Sequence, residues 1–211
     1  MRIEWKGHAS FLLISSKGVR VLTDPFDQYV GYPLPNVEVD VATVSHQHGD
    51  HNYVDSLPGK PVIIEGAGEH EAAGIVIKGV ATCHDTEQGK KRGKNTVFVI
   101  NLDGLNICHL GDLGHLLTSQ QVSDIGQVDV LFVPVGGFYT IDAKQAYEVV
   151  QQLRPALVLP MHYKLDKRVT LPIAPVDEFL GLFPRVEKKS FLDIDKSSLP
   201  GKTEVVLLEL R

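Results

Sequence analysis

Residues 42–54 read ATVSHQHGDHNYV, so an apolar run leads directly into three histidines and one aspartate within six positions. Solvent-exposed loops collect polar residues, but imidazole is a poor choice for solubility alone. Two imidazoles suit a first-row divalent metal, and a carboxylate with a further imidazole can begin a second site beside the first. The stretch therefore predicts a metal centre. Its candidate ligands are His46, His48, Asp50 and His51.

Other strand-like segments also end in residues that can form a site. Runs rich in Val, Ile and Leu, bounded by Gly, Pro, Asn or Asp, recur along the chain and indicate many strands. Ligands of layered α/β folds collect beyond the carboxyl ends of strands, because the loops there converge. We therefore expect the segments that carry such residues to meet at one sheet edge. These residues are His46, His84 in ATCHD, Asp112, Gly136 and His162.

Helical patterns alternate with the strands in the later half of the chain, which favours an α/β layered arrangement. The stretch TIDAKQAYEVVQQLRP predicts a helix, with Thr140 or Asp142 as its N-cap and Pro155 as its stop. Asp103 and Gly104 stand between two apolar runs and predict a hairpin. The helices predicted from the sequence are residues 140–155, 119–126 and 174–184, with a short one in GEHEAAG, residues 68–74.

Length and composition indicate an ordinary globular protein. The 211 residues are 43% hydrophobic and 22% charged, and no linker divides them, so residues 1–211 are predicted to form a single domain. The net charge of −5 argues against a nucleic-acid partner, which usually requires a basic face. No apolar stretch is long enough for a signal peptide or a membrane span. With only Cys83 and Cys108, both expected to be reduced, we predict a cytoplasmic protein without membrane contact.

The motifs together resemble those of the metallo-β-lactamase superfamily. Within it the sequence is similar to the branch that contains L-ascorbate-6-phosphate lactonase and predicted zinc-dependent hydrolases. The resemblance spans nearly the whole chain and implies an α/β fold, the αββα sandwich, with metals at one edge. The motifs that carry it are WKGHASFLL, LTDPF, SHQHGDH, CHD, HLGDLGH, PVGGFYTID and PMHY.

The same resemblance implies two divalent metal ions, zinc first, with manganese or iron as alternatives. His46, His48 and His84 would bind one metal. Asp50, His51 and His162 would bind the second, and Asp112 would bridge the pair.

Three functions are compatible with such a centre. The first is hydrolysis of a small ester or lactone, which could carry a phosphate, by a metal-bridging hydroxide that Asp50 orients. The second is a phosphodiesterase or nuclease, which the net negative charge of the chain disfavours. The third is a metal-binding protein without turnover, which the complete ligand set disfavours. We expect a small-molecule substrate, and His115 as a second catalytic residue through proton donation or substrate contact.

Several further residues have two interpretations each. His8 and His109 could support metal ligands or be structural, and Asp24 could orient a ligand or begin an Asp-Pro turn. The basic loop 89–95 could be a solvated turn or an anion clamp through Arg92. The glycine pair 136–137 could present backbone N–H groups to an oxyanion or form a tight turn.

Overall fold

The computed structural model describes residues 1–211 and contains two mixed β-sheets. The first sheet has six strands in the order β13-β1-β2-β3-β4-β5. Strands β1 to β3 pair antiparallel, whereas β3, β4 and β5 run parallel. Its strands are β1 (Arg2–Gly7), β2 (Ser10–Ile14), β3 (Arg20–Thr23), β4 (Val41–Val44), β5 (Val62–Glu65) and β13 (Leu192–Asp193).

The second sheet has eight strands in the order β12-β14-β11-β10-β9-β8-β7-β6. Strands β6 to β9 form an antiparallel meander, and β9, β10, β11, β14 and β12 run parallel. The strands are β6 (Gly68–Ala72), β7 (Ile75–Cys83), β8 (Lys94–Leu102), β9 (Leu105–His109), β10 (Val130–Pro134), β11 (Leu157–Met161), β12 (Val186–Lys189) and β14 (Glu204–Leu208).

The two sheets pack face to face over a common apolar core. The ring of Phe11 on β2 stacks on the ring of Phe132 on β10, with centroids 4.0 Å apart. Both side chains are 1% exposed or less and belong to a cluster of 51 buried residues drawn from both sheets. Complete burial of one such side chain contributes about 1.5–3 kcal/mol.

Helices cover the eight-stranded sheet. Helix α2 (Ala143–Leu153) buries Ala146, Val149 and Val150 and contacts β10. Its N-cap is Asp142, one of the two predicted candidates, whose carboxylate accepts the Gln145 N–H, and the Gln145 side chain accepts the Asp142 N–H in return. Helix α1 (Ser119–Ile125) has the same kind of cap at Thr118, and the third helix is α3 (Asp177–Leu180). Helical structure within 140–155 and 119–126 is thus confirmed, and within 174–184 it is confined to four residues.

The outer face of the six-stranded sheet carries a thinner layer. A small apolar cluster of Leu12, Leu22, Val39, Ala42 and Leu57 lies there. Irregular chain and short 3₁₀ helices at Gln28–Val30 and Val54–Ser56 form the segments that connect the parallel strands of this sheet, with a third 3₁₀ helix at Lys196–Ser198. The α/β sandwich expected from the sequence is therefore present with unequal outer layers.

The predicted helix in residues 68–74 is wrong. Gly68–Ala72 is strand β6, paired antiparallel with β7, and the turn passes through Ala73 and Gly74, which have φ of 50° and 73°. Glu and Ala favour a helix locally, but the hydrogen bonds to β7 decide the conformation. The predicted hairpin at Asp103 and Gly104 is confirmed, with φ of 53° and 76° between β8 and β9.

The carboxyl ends of several strands from both sheets point to one edge of the sandwich. Strands β3 and β4 run parallel in one sheet, and β9, β10 and β11 run parallel in the other. Strand β7 has the same direction as β9, because each is antiparallel to β8. The loops after these strands carry the predicted site residues. None of the helices has the length and apolarity that crossing a bilayer requires.

Candidate metal centre

The carboxylate of Asp112, in the loop after β9, lies among four imidazoles. Asp112 is 1% exposed, and a buried charge is costly unless other groups compensate it. The imidazoles come from the loops after β4, β7 and β11, so both sheets contribute to the cluster. The distances from each Nε2 to the nearest Asp112 oxygen are 3.1 Å for His84, 3.2 Å for His51, 3.3 Å for His162 and 3.9 Å for His46.

The potential ligand atoms form three overlapping groups, and two of these groups correspond to the predicted metal sites. In each group these atoms lie within 4.8 Å of one another. The first group is the set that the sequence predicted for one metal, and the second contains the predicted set together with His8. These two groups are His46, His48 and His84, and His8, Asp50, His51 and His162, and the third group is Asp24, His46 and His51.

Several polar atoms at the centre are buried without a hydrogen-bond partner. They include Asp112 Oδ1 and the Nε2 atoms of His46, His51 and His162. A buried polar atom left unsatisfied costs about 1–3 kcal/mol, so a cluster of such atoms requires another explanation. A divalent cation would satisfy these nitrogen and oxygen donors together, and the residues therefore fit a metal site.

The charges around the centre also suit a cation. Burial opposes ionisation of Asp112, but His162 and His51 outweigh it and hold the Asp112 pKa well below its usual range. Burial opposes protonation of His51, but Asp112 and Asp50 outweigh it and raise the His51 pKa well above its usual value. The negative field that favours a proton on His51 also favours a divalent metal. Burial lowers the pKa of His46 to about 3, so its imidazole is neutral, as metal binding requires.

A buried hydrogen-bond network orients two of the imidazoles. His51 Nδ1 donates to Asp24 Oδ2 at 2.8 Å, and the Ser45 hydroxyl donates to the same oxygen at 2.5 Å. The Ser45 hydroxyl also lies 3.0 Å from Nδ1 of His46. With both Nδ1 atoms engaged, the Nε2 atoms are the ones that face the centre. Of the two interpretations of Asp24, the structure supports the orienting role.

Asn95, at the start of β8, positions the backbone of Asp112 and was missed by the sequence analysis. Its amide donates to the Leu110 carbonyl at 2.9 Å and to Thr82 Oγ1 at 2.8 Å, and its Oδ1 accepts the Asp112 N–H at 2.9 Å. Gly111 has a φ of 54°, and a Cβ there would lie 2.4 Å from Asn95 Oδ1. An asparagine at the head of the apolar run TVFVI is the signal that could have drawn attention to it.

His8 and His109 differ in their surroundings. His8 is fully buried, and its Nε2 lies 3.3 Å from Asp50 Oδ2. Burial lowers the His8 pKa to about 4, so the neutral ring can donate to Asp50. His109 instead bonds to the backbone, with Nε2 donating to the Ala9 carbonyl at 2.7 Å and Nδ1 accepting the Gly111 N–H. His8 thus supports a candidate ligand, whereas His109 is structural.

His115 and the glycine pair are not brought into the cluster. His115 Nε2 accepts the Cys83 N–H at 3.1 Å, and its Nδ1 lies 2.8 Å from the Leu116 carbonyl. Neither ring nitrogen is free for a substrate in this arrangement. Gly136 packs against the backbone of His162, since a Cβ at Gly136 would lie 2.2 Å from the His162 carbonyl oxygen. The N–H of Gly137 donates to Ile141. Close packing and a turn therefore account for the two glycines.

A cavity of about 420 Å³ opens onto the centre. This volume is in the range of sites for small molecules. Asp50, whose side chain is 30% exposed, forms part of its wall. Burial disfavours the charged form of Asp50, but His51 and the hydrogen bond from His8 hold its pKa below the usual range. The other residues around the cavity are Asp27, Tyr29, Val30, His48, Gly49, His84, Lys91, Arg92, Asp112, Tyr139 and Leu171.

Comparison with known proteins gives the same family by sequence and by structure. Residues 2–162 match the profile of the β-lactamase superfamily domain. A UPF0173 metal-dependent hydrolase of Pyrococcus abyssi is 31% identical, over 77% of this chain and 84% of the relative. One from Archaeoglobus fulgidus is 27% identical, over 96% of this chain and 98% of the relative.

A solved structure from Thermotoga maritima, described as a candidate Zn-dependent hydrolase of the metallo-β-lactamase superfamily, is 42% identical. It superposes with a TM-score of 0.81 over 99% of both chains. The α/β sandwich expected from the sequence is confirmed by this likeness. The profile match, the curated relatives and the cluster of metal-binding side chains agree, and the chain belongs to the UPF0173 metal-dependent hydrolases of the metallo-β-lactamase superfamily.

Proposed function

We propose that this hydrolase cleaves a small ester or lactone at a centre of two divalent metal ions, zinc in the first instance. The observation that carries the proposal is the convergence of unpartnered Nε2 and carboxylate atoms around Asp112, beside a cavity sized for a small molecule. A lactone substrate is also what the resemblance to the ascorbate-6-phosphate lactonase branch implies. The proposed ligands are His46, His48 and His84 for one ion, Asp50, His51 and His162 for the other, and Asp112 between them.

Bound divalent ions would supply hydroxide near neutral pH and polarise the scissile carbonyl. The chain's own residues then orient the reactants. Asp50 is ionised and lines the cavity, so it can accept a hydrogen bond from the attacking water and fix its direction. His8 donates a hydrogen bond to the Asp50 carboxylate, and the hydrogen bond to Asp24 keeps His51 in one orientation. Catalysis therefore needs no serine or cysteine nucleophile.

Turnover by metal-loaded protein tests the substrate class. Protein loaded separately with zinc, manganese or iron would be assayed against lactones, carboxylic esters, thioesters and phosphodiesters, with chelated protein as the control. We expect metal-dependent cleavage of esters or lactones. Preferential cleavage of phosphodiesters would replace the proposal by the phosphodiesterase alternative. Stable metal binding with no turnover of any class would contradict both.

We also propose that residues 1–211 act as one domain in the cytoplasm. A single buried cluster joins both sheets, which supports one folding unit. Cys83 and Cys108 are free thiols, as a reducing compartment would keep them. Limited proteolysis that yields two stable fragments would contradict the single domain.

A further inference from the structure

Two cationic side chains, those of Arg92 and Lys91, line the cavity beside the candidate metal centre, and of these only Arg92 has no ion pair. Arg92 lines this cavity together with His48, Asp50 and Asp112. Its guanidinium carbon lies 5.3 Å from the centroid of the Tyr139 ring, within the range of a cation–π contact. The guanidinium has no carboxylate partner and makes no side-chain hydrogen bond. Its donors are therefore available to a molecule in the cavity.

The loop that carries Arg92 is fixed by a buried carboxylate. Asp85 is 4% exposed and accepts four backbone N–H groups at 2.7–2.9 Å, the last of them from Arg92. Burial alone would raise the pKa of Asp85, but these N–H groups lower it to about 2, so the carboxylate is charged at neutral pH. The backbone at Arg92 is thus ordered before a ligand arrives, which reduces the cost of binding.

The other basic residues of the loop are placed differently. Lys91 also lines the first cavity, but its Nζ lies 2.5 Å from Glu87 Oε1, so its charge is already paired. Lys90 and Lys94 are exposed to solvent. Lys94 lines a second groove of about 810 Å³, which shares only His48 and Arg92 with the first cavity. Arg92 therefore stands where two grooves meet, next to a candidate metal ligand.

We propose that Arg92 determines substrate specificity by binding an anionic group, a carboxylate or a phosphate, remote from the bond that is cleaved. A planar guanidinium can bind either anion through two parallel hydrogen bonds, and stacking on Tyr139 leaves its edge free. Leu171, which is half-buried and also lines the cavity, can contact the apolar part of such a substrate. The substrate would then be an ester or lactone that carries an anionic group, and this role of Arg92 rests on the proposed hydrolase function.

Paired substrates test this role. Kinetics would be measured for p-nitrophenyl acetate, which is neutral, and for mono-p-nitrophenyl succinate, which adds a carboxylate. Arg92→Ala should lower kcat/KM for the succinate ester by roughly tenfold to a hundredfold, mainly through KM, and change the acetate ester by less than about twofold. Arg92→Lys should retain part of the preference. Lys90→Ala, which removes the same charge from the same loop, should leave the preference unchanged.

Tyr139 provides a second measurement. Tyr139→Phe keeps the ring under the guanidinium and should keep the preference for the anionic ester, whereas Tyr139→Leu should reduce it. Metal content should remain unchanged in every variant. Loss of metal in Arg92→Ala would overturn the role of Arg92 in specificity, because the residue would then support the centre itself.

Binding of simple anions separates failure of this proposal from failure of the hydrolase function. Metal-loaded protein would be titrated calorimetrically with inorganic phosphate and with succinate. At least one of these anions should bind more weakly to Arg92→Ala than to the wild type. The anion that loses more affinity identifies whether Arg92 prefers a phosphate or a carboxylate. Equal affinities in wild type and Arg92→Ala, or equal kinetic losses on both esters, would overturn the anion site. If anion binding depends on Arg92 but no ester is hydrolysed, the anion site at Arg92 stands. Only the proposal that the protein hydrolyses esters is then contradicted.

Discussion

The Asp24 carboxylate lies 2.8 Å from Nδ1 of His51, and neither side chain is exposed to solvent. The contact fixes which nitrogen of His51 carries the proton and turns Nε2 toward Asp112. Asp24→Asn should therefore weaken metal binding by about tenfold to a hundredfold, the usual effect of losing a partner of a ligand. Equilibrium dialysis measures this affinity. Asp40→Asn, at an exposed carboxylate that accepts only a backbone N–H, is the matched control, and equal affinities in both variants would disprove the orienting role.

Metal stoichiometry tests the proposed ligand sets. Elemental analysis of reconstituted protein should approach about two metals per chain, because two of the donor groups correspond to the proposed ligand sets. His48 is exposed and belongs to only the first group, so His48→Ala should lower the content toward about one. Wild-type protein that holds no metal at any stage of reconstitution would eliminate the metal centre.

Asp50 and His115 should differ sharply in their effect on turnover. Asp50 lines the cavity beside the candidate ligands, whereas both nitrogens of His115 contact the backbone. Asp50→Ala should reduce kcat by about a hundredfold or more, and His115→Ala by only a few fold. Steady-state kinetics on folded variants of equal concentration compare the two. Normal turnover by Asp50→Ala would rule out its role in orienting water.

The approach of Gly111 to Asn95 can be tested through stability. Gly111 and Gly18 both have positive φ, 54° and 86°, so an alanine at either position is strained. Only at Gly111 would the new Cβ meet other atoms, whereas Gly18 has open space. Gly111→Ala should therefore lower the free energy of unfolding by about 1–3 kcal/mol more than Gly18→Ala. Denaturant titration gives both values, and equal losses would show that the loop yields without cost.

Features that depend on neighbouring residues could be predicted from the sequence. Asp142 caps α2 because its side chain bonds three residues ahead, and Asp103 with Gly104 forms the hairpin that its dipeptide favours. The candidate ligands could be predicted for a similar reason, since each follows a recognisable apolar run. The α/β architecture then requires that those runs end at a common edge.

Features that depend on distant partners could not be predicted in the same way. Gly68–Ala72 is a strand because β7 offers it backbone hydrogen bonds, and its own composition favours a helix. Asn95 reaches Asp112 across 17 positions of sequence, and the pattern around Asn95 does not indicate that partner. His115 stands close to Asp112 in sequence, yet its ring turns to the backbone of Cys83. For His115, proximity to Asp112 along the chain does not bring the ring into the centre.

The division of the donors between the two sheets has a consequence for folding. His46, His48, Asp50 and His51 follow β4 in one sheet, whereas His84, Asp112 and His162 follow strands of the other. An ion bound by donors from both sheets would cross-link the two halves of the sandwich. The cross-link would lie at the edge where these carboxylates and imidazoles meet. A ligand present at a thousand times its dissociation constant stabilises the folded state by about 4 kcal/mol. Removing the metal should thus remove this link between the two halves and lower the melting temperature of the protein. The melting temperature would then depend on how much metal is available in the surroundings.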